Sequence, residues 1–374
     1  MTAPQAEAVI DLDAYRANLE ALAAHAVGAQ TMAVVKANAY GHGTAPMARA
    51  AREAGVDWLA VATVAEAVAL RATGDRGPVL CWLAAPGADY AAAIDAEVEL
   101  TASSADQLEE IAGATAGRPR VQLKVDTGLS RNGARGDDWT RLVEAAAAAQ
   151  AAGSVEITGV WSHFACADEP DHPANDEQER VFRAAVDEAR SHGLDPALVH
   201  LSNSPAALTR PSARFDLVRV GIASYGIEPA PGLHHPVALR PVMTLRGRLA
   251  AVKRIAAGSG VSYGHTFTTD RDTTVGLVPL GYGDGVPVAA SNRVGLGFRG
   301  ERVPQVGRVC MDQCVVDLGD RPASVGDVVT LFGPGDDGEP TALEWATACG
   351  TIGYEIVTRV GGRVERTYTG GGLA

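Results

Sequence analysis

Thr31-Met32-Ala33-Val34-Val35-Lys36-Ala37-Asn38-Ala39-Tyr40-Gly41-His42-Gly43 is an apolar run that ends on a lysine and opens into a glycine-bracketed loop. A short continuous apolar run bounded by turn residues reads as a strand buried on both faces. The lysine stands out against the rest of the chain. Lys and Arg together number 32, yet only Lys36, Lys124 and Lys253 are lysines. Arginine can replace lysine as a solvated charge, but not where an amine must attack a carbonyl. A lysine closing a buried strand is placed to be desolvated and to act as a Schiff-base amine. The competing reading is an Arg-biased composition with three leftover lysines, and scarcity alone does not choose between the two.

Outward from this run the same texture repeats. With 31–36 taken as the first strand, further strands are expected at 57–62, 78–83, 97–101, 120–125, 156–162, 197–201 and 216–220. Helical patterns lie between them at 13–27, 43–54, 63–72, 88–95, 104–114, 137–152 and 176–192, with a short helix from Pro205. Ser104 followed by Gln107 resembles a capping box. Asp137 and Asp138 place acids at the positive end of the next helix. Gly74, Gly153 and Gly193 stand where left-handed residues end helices. Eight near-continuous apolar strands, each followed by a helix, predict a parallel sheet covered on both faces, and this length fits a closed (β/α)8 barrel of the TIM type. A doubly wound open sheet is the alternative, although no GxGxxG follows the first strand.

After Tyr225 the pattern changes. Pro229 to Pro236 reads as a linker, and short Val-rich alternating runs follow at 242–254, 274–279, 293–298, 302–309, 314–317 and 326–332, with a helix near 341–349. The chain of 374 residues exceeds one ordinary core of roughly 100–200 residues. The expected fold class is therefore α/β, an N-terminal barrel over 1–235 joined to a C-terminal mostly-β domain over 236–374.

A net charge of −13 argues against nucleic acid or an acidic membrane surface as a partner. The first residues carry no basic region or apolar stretch of signal-peptide length. The Ala-rich run 144–153 is too short to span a bilayer. Five cysteines, an odd number without framework spacing, read as reduced thiols of a cytoplasmic protein. His234-His235 sits in the linker, and no metal-binding spacing appears.

In barrel enzymes the chemistry sits where strands end. The unusual residues of this chain fall there. Lys36 ends the first strand, Lys124-Val125-Asp126 the fifth, Trp161-Ser162-His163 the sixth, His200 to Pro205 the seventh, and Arg219-Val220-Gly221-Ile222 the eighth. Each has a plainer reading. A lone histidine such as His163 is more often structural, and Ser204-Pro205 is an N-cap with proline at the first helical position. A helix start is also an anion site, and barrels often bind phosphate after their last two strands. Arg219 within an apolar strand is costly unless paired. A phosphate cradle, a buried guanidinium and a strand-end lysine around one barrel mouth outline a pyridoxal phosphate site.

These stretches closely resemble bacterial alanine racemases. The resemblance includes 33–43, Lys124-Val125-Asp126-Thr127-Gly128 with Arg131, His200 to Pro205 and Arg219 to Ile222. It continues with Ser262-Tyr263-Gly264, Gly281 to Gly285, Gly307 to Asp312, and Gly353-Tyr354. It implies a head-to-tail homodimer in which the first residues form a strand of the second domain. By the same resemblance Lys36 would hold the aldehyde of pyridoxal 5′-phosphate, and Tyr40, Ser204, Gly221, Ile222 and Tyr354 would hold its phosphate. Arg219 would face the pyridine nitrogen. Arg131 would meet the substrate carboxylate, oriented by a carbamate on Lys124 (N6-carboxylysine). Tyr263 would enter from the other subunit, with Met311 and Asp312 nearby. The chain departs from the common family pattern at Leu129-Ser130-Arg131-Asn132, where Met-Gly-Arg-Leu or similar is usual.

The implied activity is interconversion of L-alanine and D-alanine, supplying D-alanine for peptidoglycan. Racemisation removes a proton from one face of the α-carbon and returns one to the other, so Lys36 and Tyr263 would serve as two bases. A tyrosine with an ordinary pKa near ~10 is a poor base at neutral pH and needs neighbouring charge or hydrogen bonds. His163 and Arg219, with His200 behind them, are the expected tuners. Arg219 can donate to the pyridine nitrogen but cannot readily protonate it, which suits a racemase. A decarboxylase of the same barrel class would need a carboxylate at that position. A serine or broad-specificity racemase and a non-catalytic cofactor-binding barrel are the remaining alternatives.

Overall fold

The computed structural model describes residues 4–114 and 117–371. Eight parallel strands, Gln30–Val34, Trp58–Val61, Val79–Cys81, Glu99–Ala102, Arg120–Lys124, Glu156–Trp161, Leu198–His200 and Leu217–Val220, follow one another round a single sheet. Registers such as Met32↔Trp58, Leu59↔Val79 and Met32↔Arg219 run in parallel. The last two strands approach through Asp216 N–H to Val199 O and Arg219 N–H to Ser202 O, each 3.1 Å, and bring the sheet almost to closure as a barrel. Helices Leu12–His25, Thr44–Glu53, Val64–Ala72, Tyr90–Asp95, Ala105–Ala112, Asp137–Ala151 and Ala174–Ser191 cover its outside. Burying the strands on both faces is what made them continuous apolar runs.

The boundaries differ where backbone geometry overrides pattern. The first strand stops at Val34 rather than Lys36, because the chain turns left-handed immediately afterwards. Ser104 accepts from Gln107 N–H, but the Gln107 carboxamide oxygen takes the Ser103 N–H instead of closing the box on Ser104. The helix after the seventh strand is capped by Asn203, whose side chain accepts from Ala206 N–H. Ser204 is thus its first residue, not its cap.

A second sheet of nine strands is built mostly from the C-terminal part of the chain, including Met243–Arg248, Thr273–Val278, Cys314–Gly319 and Val328–Phe332. The run expected at 242–254 breaks into two strands around Leu249-Ala250. Strand Ala6–Asp11 also belongs to this sheet, antiparallel to Met243–Arg248 and parallel to Glu365–Thr369. The first described strand therefore lies in the β sheet, and the chain passes into the barrel at Asp11, which caps the helix Leu12–His25. Buried Asn18 on that helix donates to Ser224 O and Arg240 O and accepts from Arg240 N–H. It thereby fixes the segment that leads back out of the barrel.

Candidate active site

The first strand delivers Lys36 into an uncommon conformation. Ala37, Asn38, Ala39 and Tyr40 all have φ between 51° and 54°, a run of left-handed residues without a glycine. Such geometry costs about 1–2 kcal/mol per L-residue, so the surroundings must enforce it. Glu66 Oε1 accepts the Ala37 N–H at 2.7 Å, and Asn38 Oδ1 accepts the Thr44 N–H. The buried His42 ring donates to the carbonyls of Ala39 and Tyr40. Two residues of the strand Glu365–Thr369 reach across from the β sheet: Arg366 donates to Gly41 O and Tyr368 to His42 O. Gly41 has no alternative, since a Cβ there would lie 2.4 Å from Val357 O.

The turn throws Tyr40 back towards the eighth strand. Its ring packs on Tyr225 at 4.8 Å and lies 6.2 Å from that of Tyr354, on the helix Gly353–Thr358. Gly221 faces the Tyr40 hydroxyl so closely that a Cβ would come within 2.5 Å of it. Because Asn203 does the capping, the Ser204 hydroxyl oxygen is free to accept the Gly221 N–H at 2.9 Å, and its own hydrogen points elsewhere. Ile222 follows, fully buried. The hydroxyls of Tyr40 and Tyr354 make no side-chain or backbone hydrogen bond among the described residues. Burial pushes both phenols far above their ordinary pKa, reinforced at Tyr40 by Tyr354 and at Tyr354 by Asp168, so both remain neutral donors. The residues thus form a hydroxyl-lined cup suited to an anion.

The centre of the mouth is positive. Arg131 lies near enough to act on Lys36, Lys124 and Arg219, and Arg219 on both lysines. Burial lowers Lys36, with Arg131 and Arg219 adding to the effect and Glu66 opposing it. Burial, Arg131 and Arg219 bring Lys124 down to about 7. Lys124 Nζ lies over the Trp161 ring at 4.3 Å, and Lys36 Nζ lies 5.5 Å from that of Trp82. Arg219 is buried and held from several sides: NH1 donates to His200 Nδ1 at 2.9 Å, and NH2 to Ser162 O, Leu201 O and, at 3.3 Å, His163 Nδ1. Burial and the Arg219 charge hold His163 and His200 well below the ordinary histidine range, so both rings are neutral.

Arg131 arrives on a loop that doubles back along the fifth strand. Val125 and Ala134 bridge, and Asp126 Oδ1 accepts the N–H groups of Gly128 and Ser130. Ser130 has φ 56°, at the position where the related pattern carries glycine.

The structure thus brings Lys36, Tyr40, Lys124, Arg131, His163, Ser204, Arg219, Gly221, Ile222 and Tyr354 to one end of the barrel. It does not bring Tyr263, Met311 or Asp312 there within one chain. Tyr263 and Met311 stand 69% and 55% exposed on the β domain, and Asp312 pairs with Arg363 at 2.7 Å. Sequence reasoning missed Glu66, the carboxylate beside Lys36. The Thr63-x-x-Glu66 capping-box spacing was its visible signal, and Glu66 closes that box as well as binding Ala37. Trp82 carried no signal beyond its place after a strand. Among the described residues no group of three His, Cys, Asp or Glu could hold a metal ion, and no helix is long and apolar enough to cross a membrane.

Comparison with known proteins places this geometry. Residues 10–229 match the model of the alanine racemase N-terminal domain, and residues 242–368 that of the alanine racemase C-terminal domain. An alanine racemase from Frankia casuarinae is 55% identical over 96% of this chain and 95% of its own length. One from Thermobifida fusca is 53% identical over 98% of both. The crystal structure of alanine racemase from a D-cycloserine producing Streptomyces lavendulae superposes with a TM-score of 0.97 at 52% identity, covering 99% of this chain and 98% of the other.

Proposed function

The chain belongs to the alanine racemase family and is a racemase, and from that premise we propose that it interconverts L-alanine and D-alanine with pyridoxal 5′-phosphate held at the barrel mouth. One observation carries the proposal: four cationic side chains converge beside a hydroxyl-lined cup, with Lys36 among them. A phosphate, a phenolate oxygen and a substrate carboxylate are the anions this arrangement would neutralise.

The residues fit the cofactor. The hydroxyls of Tyr40, Ser204 and Tyr354, with the backbone at Gly221 and Ile222, would hold the phosphate. Lys36 would hold the aldehyde carbon, and Arg219 would meet the ring nitrogen. When bound, the cofactor supplies a conjugated ring that spreads the negative charge left by departure of the α-proton. Arg219 donates hydrogen bonds but accepts none, so it limits how far that charge moves onto the ring.

The remaining steps belong to the protein. Lys36, with its pKa lowered by burial, takes or returns the proton on one face. Arg131 orients the substrate carboxylate. Tyr263 of a second copy serves the opposite face, since within one chain it is exposed on the β domain. The active form is therefore a homodimer, with Met311 and Asp312 joining Tyr263 at each site and Met311 crowding the substrate methyl. His163 accepts from Arg219 at Nδ1, which leaves its Nε2–H to donate to the Tyr263 oxygen and favour the phenolate. Lys124 becomes a carbamate, which orients Arg131; an amine brought to about 7 is substantially neutral at physiological pH, as reaction with carbon dioxide requires. A cytoplasmic enzyme of this kind supplies D-alanine for peptidoglycan.

The test is racemisation over a panel of amino acids, with and without pyridoxal phosphate, combined with borohydride reduction and peptide mapping. Alanine as the preferred substrate and a label on Lys36 support the reading. A protein that binds no pyridoxal phosphate, or a label elsewhere, overturns it.

A further inference from the structure

A polar chain runs through the interior of the barrel from its floor to Arg219. Glu99, first residue of its strand and 4% exposed, ion-pairs with Arg120 at 2.8 Å through Oε1. Its Oε2 accepts from Thr158 Oγ1 at 2.7 Å and from Gln122 Nε2 at 2.8 Å. Gln122, fully buried, places Oε1 2.7 Å from His200 Nε2. His200 Nδ1 lies 2.9 Å from Arg219 NH1. Gly159 makes room for this chain, since a Cβ there would sit 3.0 Å from Gln122 Cδ.

The direction of each bond follows from chemistry. A carboxylate only accepts, so the end of Gln122 that faces Glu99 is its NH2 group and the end that faces His200 is its oxygen. That oxygen requires a hydrogen on His200 Nε2. A neutral imidazole carries one hydrogen, so Nδ1 is left as an acceptor for Arg219. The opposite tautomer would set two N–H groups against each other in a site with no water access. Trp161, stacked flat on His200 with planes 2° apart, prevents the ring from tilting out of line. Arg219 NH2 is already engaged by carbonyls and His163. Fixing NH1 therefore sets which N–H groups remain to face the cofactor ring.

We propose that Glu99 is a positioning residue which, through the carboxamide of Gln122, joins the donor-only Arg219 in fixing the tautomer of His200 and so steadies the aim of Arg219. The inference rests on the reading of Arg219 as the residue that meets the cofactor ring.

The test uses the full-length protein labelled with 15N-histidine, comparing the wild type with Glu99→Gln and with the double variant Glu99→Gln/Gln122→Glu. In the wild type His200 carries its hydrogen only on Nε2. In Glu99→Gln the carboxamide at 122 loses its imposed direction, so the Nδ1–H tautomer appears. Its kcat falls about 10–100-fold, the range for losing the outer partner of a metal-bound histidine, while KM for alanine changes little. In the double variant a carboxylate at 122 accepts from His200 directly, so the Nε2–H tautomer returns and much of kcat with it. Gln122→Leu cuts the chain one link further on, is expected to reproduce the loss of kcat, and serves as the kinetic arm if Glu99→Gln does not fold. A His200 that stays wholly Nε2–H in Glu99→Gln, or a lost kcat that the double variant does not recover, overturns the proposal. Tautomers can be read without cofactor, so failure of the racemase reading would remove the kinetic arm and leave the relay itself tested.

Discussion

The Tyr368 hydroxyl donates to the carbonyl of His42 at 3.1 Å, which ties the strand Glu365–Thr369 of the β sheet to the loop that follows Lys36. Arg366 does the same for Gly41. The left-handed turn is thus enforced from outside the barrel. Tyr368→Phe should cost about 1 kcal/mol, one ordinary hydrogen bond, and weaken pyridoxal phosphate binding through Tyr40. Gly41→Ala should cost about 2 kcal/mol or more, because it adds a strained φ of 84° to a clash with Val357 O. Denaturant titration together with cofactor titration checks both, and unchanged cofactor affinity in Gly41→Ala would remove the turn from the argument.

Ser130 pays for its left-handed φ of 56° with strain that glycine would not feel. Relief of about 1–2 kcal/mol outweighs the about 0.4–1 kcal/mol by which glycine favours the unfolded chain. Ser130→Gly is therefore expected to stabilise the protein by several tenths to about 1 kcal/mol, read as a higher urea midpoint at unchanged slope. The hydrogen bond from the backbone N–H of residue 130 to Asp126 is retained.

Lys124 titrates near 7 in the folded chain against an ordinary 10.5 when unfolded. Between those values the unfolded state binds more protons, so stability rises with pH across that window. In buffer free of carbon dioxide, Lys124→Met should be more stable than wild type, most of all below pH 7, with the gain shrinking as pH rises towards the ordinary lysine range. With 13C-bicarbonate, a carbamate signal should grow as pH passes upward through about 7. A gain that does not vary with pH would contradict this assignment.

His163→Ala should change the pH–rate profile and not merely its height, because the ring accepts from Arg219 and, in the proposed mechanism, donates to the Tyr263 base. The measurement is kcat/KM for each alanine enantiomer across pH. A profile of the same shape as wild type would remove His163 from the tuning of that tyrosine.

The barrel was legible because two-sided burial writes each strand as an apolar run, and Trp58–Val61 and Leu217–Val220 are buried at every position. The strand Glu365–Thr369 was not legible, since it is half-buried at best and its Glu-Arg-Thr-Tyr-Thr pattern has no apolar face. Lys36, Lys124, His163 and Arg219 were found because polar residues at the ends of apolar strands are conspicuous. Glu99 begins one such strand and Gln122 sits inside the next, and only their three-dimensional register reveals the chain they form. The left-handed turn had no signal either, because Ala-Asn-Ala-Tyr is ordinary sequence forced into rare geometry by distant partners.

That turn makes the anchoring of the loop after Lys36 depend on a strand of the other sheet. The guanidinium that grips Gly41 is encoded 325 residues later, so a ribosome can finish every barrel strand and still hold an amine whose loop is unset. The two bonds that hold this loop from the β sheet form only once the strand Glu365–Thr369 has been made and has docked.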